Sequence, residues 1–395
     1  MFLELSKKVK FSTRMARSMS KEMLRPISRK YDKAEHEYPK ELDLIGSMIR
    51  GMNEGDPSRS AGAAASKGGS NSQSNVMTAA SIQATSWGDL GLMLSFPGQG
   101  LGNSAIAAVA NEEQKQRFAG KWAAMAITEP GTGSDSGAIR TTAVKDGDYY
   151  ILNGEKIYIT SGYRADLIVV WATLDPKLGK AAIKSFVVEK GTEGLELMRL
   201  EHKLGIKASD TANYALNNCR VHKDNLLGDP EVRVEKGFGG VMQTFDNTRP
   251  MVAAMAIGVA EAALDTTKVL LKQTRLDKAL SKPLSQRSAI EQELINMQAD
   301  WEAARLLMLK AAWMADSGKP NSKEASMSKA KAGRTCNAIT LKCVELCGSL
   351  GYSERELLEK WARDSKILDI FEGTQQIQQL IIARHLLNKS SKELK

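Results

Sequence analysis

Between residues 122 and 235 the hydrophobic pattern of the chain changes period, and no other feature bounds the fold so tightly. Short β-branched or aromatic runs at 141–144, 149–152, 156–160, 167–171 and 185–188 alternate with turn signals: Asp146-Gly147, Asn153-Gly154 and a glycine-bounded turn at 191–194. Strands show successive side chains to opposite faces, so short runs of this kind belong in a sheet. Asn-Gly between two runs predicts a hairpin, because both residues tolerate positive φ. The segment reads as a compact β domain of about seven or eight short strands.

On both sides the pattern is helical. Residues 1–121 read as helices with loops, among them 41–49 and 105–118, where apolar residues recur at helical spacing. Residues 61–75 are small, polar and rich in glycine and serine, which predicts a loop or linker. Residues 1–21 are basic, with Lys7, Lys8, Lys10, Arg14 and Arg17, and carry Phe2, Leu3, Leu5, Val9 and Phe11. They lack the long apolar core of a secretory signal and read as a first helix of the fold, with an amphipathic targeting segment as the alternative. Residues 251–273, 288–317, 323–350 and 374–388 are long, rich in alanine, leucine and methionine, and predict a helical bundle. Gly333 inside the third of these costs about 1 kcal/mol relative to alanine. The expected architecture is α+β and multidomain: an N-terminal helical domain (1–121), a middle β-barrel or sandwich domain (122–235) and a C-terminal four-helix bundle (236–395).

Composition narrows the function. The net charge is +9, but lysine and arginine are dispersed and aromatics make up 6%, so no compact basic-aromatic nucleic-acid motif is present. A polyanionic small ligand, such as a nucleotide or a coenzyme A ester, accounts for the excess equally well. No apolar run approaches the ~20 residues that span a bilayer. Cys219, Cys336, Cys343 and Cys347 show no C-x-x-C spacing and read as small core residues, which suits a reducing cytoplasm. His36, His202, His222 and His385 are scattered, and no metal site is expected.

Two segments can carry chemistry. Thr128-Glu129-Pro130-Gly131-Thr132-Gly133-Ser134-Asp135 follows the apolar stretch 123–127. Its glycines and hydroxyls suit a nest of amides for an anion or the edge of a polar ring; an ordinary turn into the β domain is the plainer reading. Glu372 lies in Asp369-Ile370-Phe371-Glu372-Gly373-Thr374-Gln375-Gln376, where Gly373 ends one helix and Thr374 can cap the next. Apolar neighbours raise a carboxylate toward the range of a general base, whereas a solvated glutamate at a helix junction would do nothing.

At these residues the chain resembles the acyl-CoA dehydrogenase family. The resemblance runs through residues 126–135, Leu152-Asn153-Gly154-Glu155-Lys156-Ile157-Tyr158-Ile159-Thr160-Ser161-Gly162, Thr248-Arg249-Pro250-Met251-Val252-Ala253-Ala254, and Arg363-Asp364-Ser365-Lys366 followed by 371–374. The four matches are collinear and span most of the chain. The resemblance implies FAD between the β domain and the bundle. Thr128, Tyr158 and Thr160 would meet the flavin ring, Tyr158 standing where the family usually has tryptophan. Ser134 would meet the coenzyme A phosphate region, and Arg249 would orient the loop near the pantetheine. Gly373 belongs to the turn that meets substrate, and Thr374 and Gln376 would approach the adenosine half of the cofactor. Glu372 would remove the α-proton of an acyl-CoA as hydride passes to the flavin, giving a trans-2-enoyl-CoA and passing electrons to an electron-transfer flavoprotein. Some relatives carry the base where Thr248 stands; threonine cannot fill that role.

Three departures from the family pattern stand out. An arginine that usually reaches the neighbouring subunit's FAD is replaced by Asp277, and the phenylalanine and glycine that follow it by Leu280 and Ser281. Arg275 is near but off register. A glutamine of the same interface is replaced by Glu345. Carboxylates at both places would repel a pyrophosphate, so the expectation is a hetero-oligomer whose partner subunit supplies these groups, with a homotetramer using Arg275 as the alternative. Third, residues 61–75 replace a segment that shapes the acyl pocket, leaving the acyl group open. A flavin oxidase and a flavin-less structural subunit are the competing readings.

Overall fold

The computed structural model describes residues 4–53, 73–98, 100–232, 239–273, 275–390 and 393–394. The basic N-terminal stretch forms helix α1 (Lys7–Met19), capped by Ser6 and packed against α4 (Ser74–Ser86), with Val9 buried in the bundle core. It is a helix of the fold. A short helical extension leads to α2 (Ser28–Lys33), and α3 (Glu41–Asn53) fulfils the helix expected at 41–49. Of the expected loop at 61–75, residues 61–72 lie outside the described residues, while Ser74 and Asn75 already open α4.

Next come α5 (Leu90–Leu94), α6 (Leu101–Val109) and α7 (Glu112–Arg117). The single helix expected at 105–118 is therefore two. Asn111 breaks it by acting as a cap: its side chain accepts from Gln114 N at 2.8 Å, and Gln114 returns a bond to Asn111 N at 3.2 Å. Helical spacing of apolar residues persists across such a break because both pieces bury the same side.

The β domain has seven strands among the described residues: β1 (Ala123–Ala126), β2 (Thr142–Asp146), β3 (Tyr149–Thr160), β4 (Leu167–Thr173), β5 (Ile183–Glu189), β6 (Leu195–Leu200) and β7 (Thr211–His222). Their order is β1-β4-β2-β3-β7-β6, with β5 on the other side of β4. β4 is buried along its whole length, which is why it reads Leu-Ile-Val-Val-Trp without alternation. Asp146-Gly147 is the β2–β3 hairpin turn, as expected. Asn153-Gly154 is not a turn. The two runs flanking it form one strand, β3, with register shifts against β7 at Leu152/Gly154 and Lys156/Ile159. Asn153 Oδ1 accepts from Asn218 N across the sheet at 2.8 Å, and a Cβ on Gly154 would lie 2.5 Å from Thr141 Oγ1. The glycine is there for close approach within a bulge, a use of Asn-Gly that local sequence does not separate from a hairpin.

The C-terminal region is built on α8 (Gly239–Leu270), α10 (Ala289–Asp316), α11 (Ser322–Cys347) and α14 (Gln375–Leu387), joined by the short helices α9 (Leu276–Leu280), α12 (Ser349–Tyr352) and α13 (Leu358–Ser365). Alanines of α8 pack against Met297, Met308, Cys336 and Ile339 in one continuous core. Cys219, Cys336 and Cys343 are buried, Cys347 is half-buried, and none forms a disulfide.

Charge pins the three layers together. Lys360 on α13 lies between Asp89 (2.7 Å) and Asp364 (2.5 Å), all three enclosed. Burial works against the Lys360 ammonium, but Asp364 and Asp89 outweigh it and hold it above the usual lysine range; burial pushes the Asp364 carboxyl up. Asp364 Oδ1 also accepts from Ile206 N at 2.5 Å, and a Cβ on Gly205 would lie 2.6 Å from the backbone of Arg363. The loop before β7 therefore docks directly onto α13, beside the turn that carries Glu372. Arg363 reaches back to Asp32 at 2.6 Å. The segment 363–366, singled out by resemblance, is thus an anchor between layers.

Candidate active site

Two clusters of the expected site residues form. The first is on the β domain. Thr128 ends the stretch that follows β1, and its carbonyl accepts from Ile157 N at 2.9 Å, tying the loop 128–135 to the bulge in β3. Glu129 beneath it is buried, accepting from Lys156 Nζ (2.7 Å), Thr141 Oγ1 (2.6 Å), Thr141 N (2.9 Å) and Arg140 N (2.6 Å). Burial opposes ionisation of Glu129, yet Lys156 and these donors hold its carboxyl below the usual range. Burial pulls the Lys156 amine down to about 8. Lys156 Nζ also donates to Ile127 O at 3.1 Å, so one buried ion pair clamps both ends of the entry to the loop.

At the bulge Tyr158 has φ +58 and is 60% exposed, with its N–H on Asn213 Oδ1 at 3.0 Å. A large aromatic in left-handed backbone on an open face is costly unless something covers it. Thr160 follows at the end of β3, half-buried and paired with Thr211. Ser134 is exposed on the loop.

The second cluster lies on the bundle. After α13 a short turn (Lys366–Asp369) leads to Glu372 (φ +56) and Gly373 (φ +88), and Thr374 caps α14 by accepting from Ile377 N at 3.4 Å. Two consecutive left-handed residues reverse the chain, as the Gly-Thr pair suggested, although the left-handed conformation extends to the glutamate itself. Glu372 is half-buried, and Thr248 Oγ1 on α8 donates to its Oε2 at 2.8 Å. Burial pushes the Glu372 carboxyl up; Thr248, Arg249 and Lys329 work in the other direction without cancelling it. Arg249 is buried beside it. Gln376 is exposed on α14.

Several residues of this site had no role in the sequence reading. Lys329 on α11 is fully enclosed and donates to Gly373 O at 2.7 Å. Gln378 Nε2 donates to Glu372 O (3.0 Å) and Gly373 O (3.1 Å). The signal for Lys329 is a lysine flanked by the small residues Ser328 and Ala330, one turn before Gly333. The histidines are not all scattered: the His36 and His202 rings stand 4.9 Å apart beside Glu35. Glu35 is occupied by His202 Nδ1 (3.0 Å) and Lys203 N (2.8 Å), with Lys207 at 4.0 Å.

Comparison with known proteins places the chain by family and fold. Residues 124–219 match the acyl-CoA dehydrogenase middle domain and 235–387 its C-terminal domain. A 3-(aryl)acrylate reductase of Clostridium sporogenes is 35% identical over 380 residues, 95% of this chain and 97% of that protein. Subunit CarC of the caffeyl-CoA reductase-Etf complex of Acetobacterium woodii is 40% identical over 266 residues, 67% of this chain and 68% of that protein. The butyryl-CoA dehydrogenase of Megasphaera elsdenii superimposes with a TM-score of 0.85 at 29% identity, covering 98% of this chain and 100% of that one. Both domain models, and a relative matched over nearly its whole length, show that the chain belongs to the acyl-CoA dehydrogenase family of FAD-dependent oxidoreductases acting on CH–CH bonds.

Proposed function

We propose that the chain catalyses α,β-dehydrogenation of an acyl-CoA thioester to the trans-2-enoyl-CoA, with Glu372 as the base. The observation that carries this is the half-buried Glu372 carboxylate, raised by desolvation and held by Thr248 Oγ1 at 2.8 Å. A base near the operating pH abstracts a weakly acidic proton most effectively. Glu372 takes the α-proton, and its own backbone N–H would donate to the thioester carbonyl.

The residues fit a flavin. Tyr158 offers an uncovered aromatic face, and Thr128 and Thr160 flank the bulge that presents it. FAD, when bound, accepts the β-hydride. Thr128, Tyr158 and Thr160 would hold its ring, and Thr374 and Gln376 its adenosine half. Ser134 would meet the coenzyme A phosphates, and Arg249 and Gly373 the thioester arm. Electrons would leave to an electron-transfer flavoprotein, as the Etf complex of the CarC relative suggests. The reductases among the relatives favour a second reading, reduction of an enoyl-CoA, in which protonated Glu372 gives up the proton.

The hetero-oligomer is part of the proposal. Arg275 is exposed and paired with Asp277 through two bonds (3.0 and 2.9 Å), which puts a carboxylate beside the guanidinium that a neighbour's cofactor would have to meet. Glu345 is exposed and paired with Lys342 at 2.7 Å. Four unpaired thiols accord with a cytoplasmic enzyme, and no described helix is long and apolar enough to cross a membrane. The test is to purify the chain alone, measure its mass and FAD content, and add acyl-CoA thioesters without oxygen. Bleaching by a thioester that Glu372→Gln abolishes supports the dehydrogenase. Bleaching unaffected by that change rejects the base. A tetramer with one FAD per chain rejects the partner subunit.

A further inference from the structure

Helix α11 carries a polar stripe, Lys329, Gly333, Asn337 and Thr340, whose spacing of three and four residues puts all of them on one face. Every member meets the segment 365–373. Thr340 Oγ1 bonds Ser365 Oγ at 3.0 Å, and Asn337 Nδ2 donates to Ser365 O at 2.9 Å. At Gly333 a Cβ would lie 2.7 Å from Leu368 O, so only glycine lets the turn come this close. Lys329 Nζ donates to Gly373 O at 2.7 Å, and beside the stripe Ala330 O accepts from Gln375 Nε2 at 2.8 Å. The glycine that looked like a tolerated defect in a helix is a contact surface.

We propose that this stripe is a positioning apparatus for Glu372, with Lys329 as its acting end: it holds the left-handed turn by the Gly373 carbonyl and sets a positive charge near the carboxylate. The proposal rests on Glu372 being the base. Holding the turn alone does not need a charge, since Gln378 already bonds both carbonyls. A fully enclosed ammonium on a neutral carbonyl is an expensive way to supply one donor, and burial pulls Lys329 down to about 8. What the charge adds is an opposite sign close to Glu372. The groups facing Glu372 are Thr248 and Arg249 from α8, Lys329 from α11 and Gln378 from α14, while Asp369 in the preceding turn faces Lys329 and acts on it more strongly than Glu372 does. Asp369 is held by Gln375 (2.5 Å) and Lys366 (3.5 Å), which leaves Arg249 and Lys329 as the cations favouring the ionised base.

The test uses FAD-loaded wild type, Lys329→Met, Lys329→Arg and Glu372→Gln, each with FAD per chain measured first. Butyryl-CoA is the probe, and the rate of flavin bleaching without oxygen is followed against pH. Lys329→Met is expected to slow bleaching about ten- to a hundredfold, the effect of a small misplacement of a reacting group. The acid limb of its profile moves to higher pH, because a charge that favours the carboxylate is gone. Lys329→Arg restores the limb. A slower Lys329→Met enzyme whose limb stays at the wild-type position has lost only structure and overturns the proposal. If Lys329→Met does not fold, Lys329→Gln takes its place: it keeps a donor for the Gly373 carbonyl without the charge, and an acid limb at the wild-type position overturns the proposal. Glu372→Gln separates the two layers. Undiminished bleaching there sinks the base reading, whereas a dead Glu372→Gln with an unshifted Lys329→Met sinks only the role of Lys329.

Discussion

Replacing Lys156 with methionine removes the cation that clamps the loop of residues 128–135. Lys156 is fully enclosed and Glu129 is 6% exposed, with 2.7 Å between Nζ and Oε1. Removing one member of a buried pair costs about 3–5 kcal/mol, because the other charge stays behind unpaired. The low end, ~3 kcal/mol, applies here, since the carboxylate keeps three further donors, Arg140 N, Thr141 N and Thr141 Oγ1. At about 2–4 °C per kcal/mol for a cooperative unit of this size, the thermal midpoint falls by ~6–12 °C. The assay is calorimetry of the FAD-loaded protein with Lys156→Met, Glu129→Gln and the double variant. The double variant retains an acceptor for Thr141 N but holds no unpaired charge, so it is less destabilised than the two singles together by about 1–3 kcal/mol. Strict additivity would refute the clamp, and with it the account of why the loop is rigid enough to meet a cofactor.

Other outcomes follow from the same geometry. Thr248→Val deletes a donor that favours the Glu372 carboxylate, so that carboxyl rises further; the base form then survives only at higher pH, and the acid limb of the bleaching rate moves up. Lys360→Met leaves Asp89 and Asp364, both fully buried, facing one another with no cation, at a cost of about 3–5 kcal/mol. Soluble yield and thermal midpoint read that loss, with Asp364→Asn expected to be far milder. Tyr158→Ala changes the apoprotein by no more than about 0.5 kcal/mol, since the ring is exposed, but weakens FAD about two- to tenfold in a titration of apoprotein.

The order of helices, sheet and bundle was legible because each segment must hide an apolar face, and the period of that face is written residue by residue. β4 reads as a buried strand, and α10 and α14 fall within one residue of where the pattern puts them, α11 within three. The motif residues were singled out by resemblance, and the structure places Thr128 and Tyr158 on the β domain and Glu372 on the bundle. What local sequence could not decide is how a residue is used once the chain is packed. Asn153-Gly154 is a bulge instead of a hairpin because Asn218 and Thr141 lie across the sheet, contacts that sequence spacing does not contain. Gly333 read as a blemish in a helix and Lys329 had no role in the sequence reading, yet the turn at 368–373 makes one a contact surface and the other a buried donor. The hydrophobic pattern encodes which face of an element is covered. Only the tertiary structure decides what covers it, since partners far apart in the chain meet through packing, and the protonation of Glu372 depends on those partners.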